Sequence, residues 1–309
     1  LVEMVTLVLM LLGMNYLPAQ SPPERSRWRK RRDALIAVIG GGRIGEALIA
    51  GLIEGGLPTG SVVLAEKHPA RAEAVATQFG IRATSVVDAV EGADVIVVAV
   101  KPDDVDSVVT QMSKAELNGE REQIVVSMAA GVPASRYEPK LPAGIPIVRV
   151  MPNTPMLVGE AMSVLAPGRH ARSEHIEAVR KLLGTVGRTA VVAEDKIDAV
   201  TAVSGSGPAY FFLMAEAMVD AAVGLGLTRE TATTLVTQTM VGSAAMLDRS
   251  DETATELRAG VTSPGGTTAA ALAELERRGF RAAVLDAVEA ARARSVALGI
   301  PADGTPLIG

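Results

Sequence analysis

Residues 35 to 45 read Leu-Ile-Ala-Val-Ile-Gly-Gly-Gly-Arg-Ile-Gly. An apolar run of strand length passes directly into glycines 40, 42 and 45, the spacing G-x-G-x-x-G, and Glu46 to Glu54 continues as a helical stretch. Strand, glycine loop and helix in that order form a dinucleotide-binding context. Gly40 allows the tight turn, Gly42 lets a pyrophosphate approach the backbone, and Gly45 lets the helix pack on the strand.

Outward from this loop the strand signal recurs. Val62 to Ala65, Val95 to Val100, Ile124 to Met128 and Ile147 to Met151 are short runs rich in Val and Ile, with helical or loop spacers between them. Continuous apolar runs are what a sheet covered on both faces requires, so a doubly wound parallel sheet is expected. Two further short strands, Ser163 to Ala166 and Thr189 to Val192, flank an amphipathic helix at Ser173 to Leu183. Near Asp195 the character changes to helices alone. They are read at Ser206 or Pro208 to Gly224, Thr228 to Asp248, Thr253 to Ala259, Thr268 to Arg278 and Phe280 to Leu298, with Thr228 and Thr253 as N-caps. The fold class is α/β: a Rossmann-type parallel sheet domain over residues 34–194, then an all-α domain over 195–309.

Composition bounds the function. Of 309 residues 48% are apolar but only 3% aromatic, so the cores are filled by Ala, Val, Leu and Met. A net charge of -5 provides no field for nucleic acid, and the basic run Arg25 to Arg32 lies outside the folded pattern. The absence of cysteine excludes disulfides, thiol nucleophiles and thiolate metal sites, and fits a reducing, cytoplasmic location. The histidines, His68, His170 and His175, have no ligand spacing, so no metal site is expected. Leu1 to Met14 is apolar and precedes the basic run, the reverse of a signal peptide, and is too short to span a bilayer. Residues 1–33 are read as a disordered extension, with no membrane partner.

In open parallel sheets, ligands sit beyond the carboxyl ends of the strands. Here those ends lead into Lys101-Pro102, Ala129-Ala130-Gly131 and Pro152-Asn153-Thr154-Pro155. Small residues at the second exit leave room for a nicotinamide ring. Asn153 offers an amide to cofactor or substrate, or else bonds its own backbone as a turn residue. Lys101 either neutralises a phosphate or carboxylate or is a solvated surface charge. Farther on, Val261-Thr262-Ser263-Pro264-Gly265-Gly266-Thr267-Thr268 sets hydroxyls and bare amides ahead of an alanine-rich helix. It reads as an anion nest reinforced by a helix dipole, or as an ordinary loop with a Thr N-cap.

From Ile36 to Leu298 the chain resembles the pyrroline-5-carboxylate reductases. The resemblance rests on Ile-Gly-Gly-Gly-Arg-Ile-Gly at 39 to 45, Ala-Val-Lys-Pro at 99 to 102, Met-Pro-Asn-Thr-Pro at 151 to 155, Val-Ser-Gly-Ser-Gly-Pro-Ala-Tyr at 203 to 210, and the segment 261 to 268 followed by Ala271-Leu272. It implies hydride transfer from NAD(P)H to the C=N carbon of 1-pyrroline-5-carboxylate, giving L-proline. It also implies a helical domain that interlocks between subunits in a homodimer or a ring of dimers. By position, Ile39, Gly40, Gly41, Gly42, Arg43, Ile44 and Gly45 would hold the pyrophosphate. Ala99, Val100, Lys101 and Pro102 would line the cofactor, and Met128, Ala129 and Ala130 would sit on the nicotinamide side. Ser263, Gly265, Gly266, Thr267 and Thr268 would hold the substrate, with Ser263 and Thr268 closest to the chemistry and the Thr268 hydroxyl on the ring nitrogen. Gly260 departs from an Asn found in some relatives, so no side-chain contact is read there.

An imine can take its proton from solvent, so no strong general acid is needed, and none is offered: no Lys, His or Cys occurs from Ile197 onward. That absence weighs against the similar β-hydroxyacid dehydrogenases, which use a helix-borne lysine. A non-catalytic NAD(P)-binding protein is the other alternative, opposed by the intact glycine loop, Ser263 and Thr268. Cofactor signals conflict. Glu66 ends the second strand where an acid bonds the 2'-hydroxyl of NAD, while Lys67, His68 and Arg71 follow and suit the 2'-phosphate of NADP. The cofactor read is NADP(H), with NAD(H) as a co-substrate.

Overall fold

A computed structural model describes residues 35–115 and 123–299; the extension read at 1–33 lies outside them. The chain runs β1 (Ile36–Ile39), α1 (Arg43–Glu54), β2 (Val62–Ala65), α2 (Pro69–Phe79), β3 (Arg82–Ala83), α3 (Val86–Val90), β4 (Val95–Val98), α4 (Val105–Met112), β5 (Ile124–Ser127) and β6 (Ile147–Met151). It continues through β7 (Ala161–Pro167), α5 (Ser173–Leu183) and β8 (Gly187–Val191). Beyond these lie only helices: α6 (Ile197–Val200), a π-helical turn at Thr201–Gly205, α7 (Gly207–Gly224), α8 (Arg229–Arg249), α9 (Ala254–Gly260), α10 (Thr267–Arg277) and α11 (Phe280–Gly299).

The strands form one sheet in the order β3-β2-β1-β4-β5-β6-β7-β8. From β3 to β6 every pairing is parallel, with Ile36 beside both Val62 and Val95 and Val97 beside Val126. All four residues in each of β1, β2, β4 and β5 are buried, so the continuous apolar runs follow from helices covering both faces. On one face Ile39, Ile96, Val98 and Val125 join Val109 and Met112 of α4 and the ring of Tyr137. Side chains alternate across a strand, so Val38 points the other way, against α1 at Gly45.

The parallel sheet read from the first strands is borne out, and the two further strands extend it with one reversal. β7 pairs antiparallel with β6, and β8 follows β7 in parallel. The cause is length: residues 152 to 160 are fewer than the dozen or so that a crossover needs, whereas α5 supplies a crossover between β7 and β8. β4 and β5 also end earlier than read, at Val98 and Ser127, where the ladder closes with the Ala99 N–H on the Ile39 carbonyl (2.8 Å) and that of Met128 on the Val98 carbonyl (2.9 Å). The short β3, α6 and the π-helical turn were not expected.

Several polar groups inside the sheet domain are paired, while Gln123 Oε1 and Ser163 Oγ are buried without a hydrogen-bond partner. Ser127 and the buried Tyr137 hydroxyl lie 2.6 Å apart, and burial pushes the Tyr137 phenol up to about 12. Arg136 and Lys140 both pair with Asp106, and their hydrogen bonds hold its carboxyl well below the usual range. Buried Arg149 reaches Glu194 at 3.5 Å, and the same carboxylate oxygen accepts the Ala134 N–H at 2.8 Å. This joins β6 to the start of the helical half.

Among the helices, both expected caps form. Thr228 accepts from the Thr231 N–H, and Thr253 with Glu256 makes a reciprocal capping box. α7 and α8 pack through Val219, Ala232 and Val236. α11 packs back on α6, where Ser295 donates to Asp198 at 2.6 Å, and on the sheet domain, where Leu298 lies over Gly131. Arg188 of β8 pairs with Asp248 of α8. Much apolar surface stays uncovered: Phe211, Phe212 and Leu213 are each about two-thirds exposed and Leu225 is 87% exposed. A helix apolar on every side requires cover on every side, and one chain does not provide it. Among the described residues no helix is long and apolar enough to cross a membrane.

Gly187 opens β8 at φ +146, and a Cβ there would stand 2.2 Å from the Ala161 carbonyl oxygen. Gly144 has φ +88 but open space around it. Gly187→Ala should therefore cost roughly 3 kcal/mol or more through strain plus clash, and Gly144→Ala about 1 kcal/mol through strain alone. Denaturant titration of the two variants checks this, and equal losses would show that β7 and β8 do not depend on the close approach.

Candidate active site

The carboxyl ends of β1, β2 and β4 open into a cleft of about 430 Å³. Its floor is the glycine loop. Gly40 has φ +104 and would place a Cβ 2.6 Å from the Ala99 carbonyl oxygen, so only glycine fits there. Gly45 is tighter still, since its Cβ would lie 2.0 Å from the Gly40 carbonyl oxygen. Gly42 differs: a Cβ there would meet nothing within 4 Å, so the constraint on it is not packing inside the chain. The space in front of Gly42 is where a ligand could approach the backbone.

Loop amides divide by partner. Gly40 donates to the Ala65 carbonyl at 2.8 Å and Gly41 to Glu66 Oε2 at 2.7 Å. The pyrophosphate reading at 39 to 45 therefore narrows. Ile39 is a buried strand residue, Gly40 and Gly41 are occupied, and the amides of Gly42, Arg43 and Ile44 remain at the start of α1. A helix start leaves such donors without intrahelical acceptors and adds a favourable dipole, so these residues fit a pyrophosphate.

Ala99, Val100 and Lys101 line the cleft as read, while Pro102 opens the short turn beyond it. Lys67, His68 and Arg71 line the far end. Glu66 is held by two amides, that of Gly41 and that of His68 at 2.9 Å. The Lys67 ammonium lies 2.7 and 2.8 Å from the two oxygens of Asp104. Sequence reasoning missed Asp104, Thr84, Ser85 and Gln111, all of which line this end. The Asp in Lys101-Pro102-Asp103-Asp104 carried a signal only in its place just beyond a strand end.

Met128, Ala129 and Ala130 follow β5 but do not line this cleft. Met128 and Ala129 are buried, and Ala130 is half-buried beside Gly131, on which α11 closes. Asn153 is held by bonds within the chain. Its Oδ1 accepts the Met162 N–H at 2.9 Å and its Nδ2 donates to the Ser204 carbonyl at 3.2 Å. The amide bridges the β6–β7 connection to the π-helical turn, and both of its ends are engaged within the chain.

The segment 261 to 268 joins α9 to α10, and none of it lines the cleft. Gly265 takes φ +68, and the Gly266 N–H donates to the Ser263 carbonyl at 3.1 Å. The nest is thus smaller than read, because Gly266 closes a turn and Thr267 and Thr268 supply the first amides of α10. A Cβ on Gly266 would sit 2.6 Å from Ser263 Oγ, so the serine folds over the glycine. Several threonines inside helices here bond the carbonyl four residues back, as Thr239 does to Leu235 at 2.7 Å. Thr268, in the first turn, has no such helical carbonyl behind it.

This pairing of an open nucleotide cleft with a separate hydroxyl-rich helix start has close counterparts. Residues 194–298 match the family model described as pyrroline-5-carboxylate reductase dimerisation, and residues 35–131 match one described as NADP oxidoreductase coenzyme F420-dependent. A pyrroline-5-carboxylate reductase of Mycobacterium tuberculosis is 50% identical over 287 residues, covering 86% of this chain and 97% of the relative. One from Corynebacterium melassecola is 45% identical over 265 residues, 85% of this chain and 98% of the relative. Among solved structures, a pyrroline-5-carboxylate reductase from Coxiella burnetii superposes with a TM-score of 0.80 at 33% identity, covering 86% of this chain and 99% of that one. The Plasmodium falciparum pyrroline carboxylate reductase with NADP bound gives a TM-score of 0.75 at 31% identity, covering 86% and 98%. Likeness at this level runs through both the cleft and the helices that follow it, and so the chain belongs to the pyrroline-5-carboxylate reductase family.

Proposed function

We propose that the chain reduces 1-pyrroline-5-carboxylate to L-proline, the last step of proline biosynthesis, using NADP(H) with NAD(H) as a co-substrate. The observation that carries this reading is the open space before Gly42 at the start of α1, combined with the hydroxyl of Thr268 at the start of α10. The reduced nicotinamide, when bound, supplies a hydride to the imine carbon.

The chain's own residues bind and orient. The amides of Gly42, Arg43 and Ile44 receive the pyrophosphate, and Ala99 to Lys101 flank the dinucleotide. The amides of Thr267 and Thr268, with the dipole of α10, receive the substrate carboxylate, and Ser263 lies beside them. The Thr268 hydroxyl bonds the ring nitrogen and so fixes which carbon meets the cofactor. The proton on nitrogen comes from solvent or arrives with the iminium, which agrees with a helical half holding no Lys, His or Cys from Ile197 onward. Rate then depends mainly on positioning.

One chain offers the two half-sites without lining a common cavity. We therefore place the working unit in a homodimer whose exposed faces of α7, α8 and α11 cover one another, with a ring of dimers as the larger assembly. The division into 34–194 and 195–309 follows the change from sheet to helices, and the location is cytoplasmic.

Oxidation of NADPH and then NADH, followed spectroscopically with and without 1-pyrroline-5-carboxylate, tests the reading; oxidation must depend on the imine and yield proline. Gly42→Val should retain the fold, since nothing crowds that position, yet lose cofactor affinity by about a hundredfold or more as the side chain enters the pyrophosphate space. Normal affinity would contradict the loop assignment. Thr268→Ala should lower kcat about tenfold or more while dinucleotide binding stays within about twofold, as expected when a contact to the reacting ring is removed. An unchanged kcat would remove Thr268 from the mechanism.

A further inference from the structure

At the far end of the cleft the charges are arranged in an unexpected way. Lys67 directly follows the acid that ends β2, the position where a ribose 2'-substituent is read in this fold. Its ammonium is turned across the cleft onto both oxygens of Asp104, at 2.7 and 2.8 Å. Asp104 stands at the N-cap of α4 but makes no capping hydrogen bond with its side chain, so the helix does not require that carboxylate. The neighbouring Glu66 is fixed by the amides of Gly41 and His68 and presents a second negative charge. Two carboxylates thus offset part of the charge of Lys67, Arg71 and Lys101, the lysine and arginine side chains lining the cleft. A 2'-phosphate, carrying nearly two negative charges, finds the attraction of these cations reduced here, whereas a 2'-hydroxyl is unaffected by that balance and has Glu66 as an acceptor.

We propose that Asp104 is a cofactor-selectivity residue: by holding Lys67 it disfavours NADPH relative to NADH. The proposal rests on the cleft being the dinucleotide site. Binding of NADPH requires Lys67 to leave Asp104 or leaves the phosphate facing both carboxylates, and either course penalises the phosphorylated cofactor alone. The pair is partly solvated, with side chains 61% and 33% exposed, so the penalty is modest.

The test is direct binding of NADPH and of NADH to the purified full chain, read from the fluorescence of the reduced nicotinamide, which needs no turnover. In Asp104→Asn the ratio of Kd for NADPH to Kd for NADH should fall about three- to tenfold, and added salt should shrink the difference. Combining it with Lys67→Met should return the ratio to the starting value or above. An unchanged ratio overturns the proposal, and so does a parallel shift of both constants, which marks a structural role. Because the readout is binding, failure of imine reduction would leave this result readable, while failure to bind either dinucleotide would refute the cleft assignment itself.

Discussion

The whole arrangement depends on how closely two glycines approach. The α-carbon of Gly45 lies so near the Gly40 carbonyl that a Cβ would come within 2.0 Å of it, and Gly40 in turn lies against Ala99. Only with both side chains absent can the first turn of α1 sit at the ends of β1 and β4 and aim its amides into the cleft. Because β1 lies between β2 and β4, the same contact sets the origin for the strands on either side. Gly42 belongs to the same motif for a different reason: its constraint comes from outside the chain, in the empty space that a ligand would take.

The helical half follows different physics. α7 is apolar on all sides, and within one chain only the contacts around Val219 with α8 are buried, so Phe211, Phe212 and Leu213 face outward. Such surface is stable in water only when covered, and membership of a family that includes a dimerisation domain accounts for the cover. The segment 261 to 268, proposed to hold the substrate, is carried by α9 and α10, neither of which has a buried residue within one chain.

Polar side chains join these halves at few points. Asn153 ties the reversed β7 to the π-helical turn, Glu194 links Arg149 to the Ala134 amide, and Ser295 anchors α11 to Asp198. Together they hold the start of the helical half against the carboxyl edge of the sheet, the edge at which the cleft opens.

Much of this was legible in the sequence, and for a common reason. The apolar runs of β1, β2 and β6, the amphipathic α5, the caps Thr228 and Thr253 and the glycine loop are local, since each is determined by residues within a turn or a strand's length of one another. What escaped was non-local. The reversal of β7 came from a connection too short to cross over. Asn153 finds partners up to 51 positions away, and Lys67 pairs with Asp104 across 37. The sequence by itself determined the alternation of strands and helices, the nucleotide loop and the family resemblance, because periodicity and glycine spacing act through the backbone of a few neighbouring residues. Only the tertiary structure decided which loop amides stay open and which charges cancel in the cleft, because those depend on distances between segments that meet only once the sheet has closed.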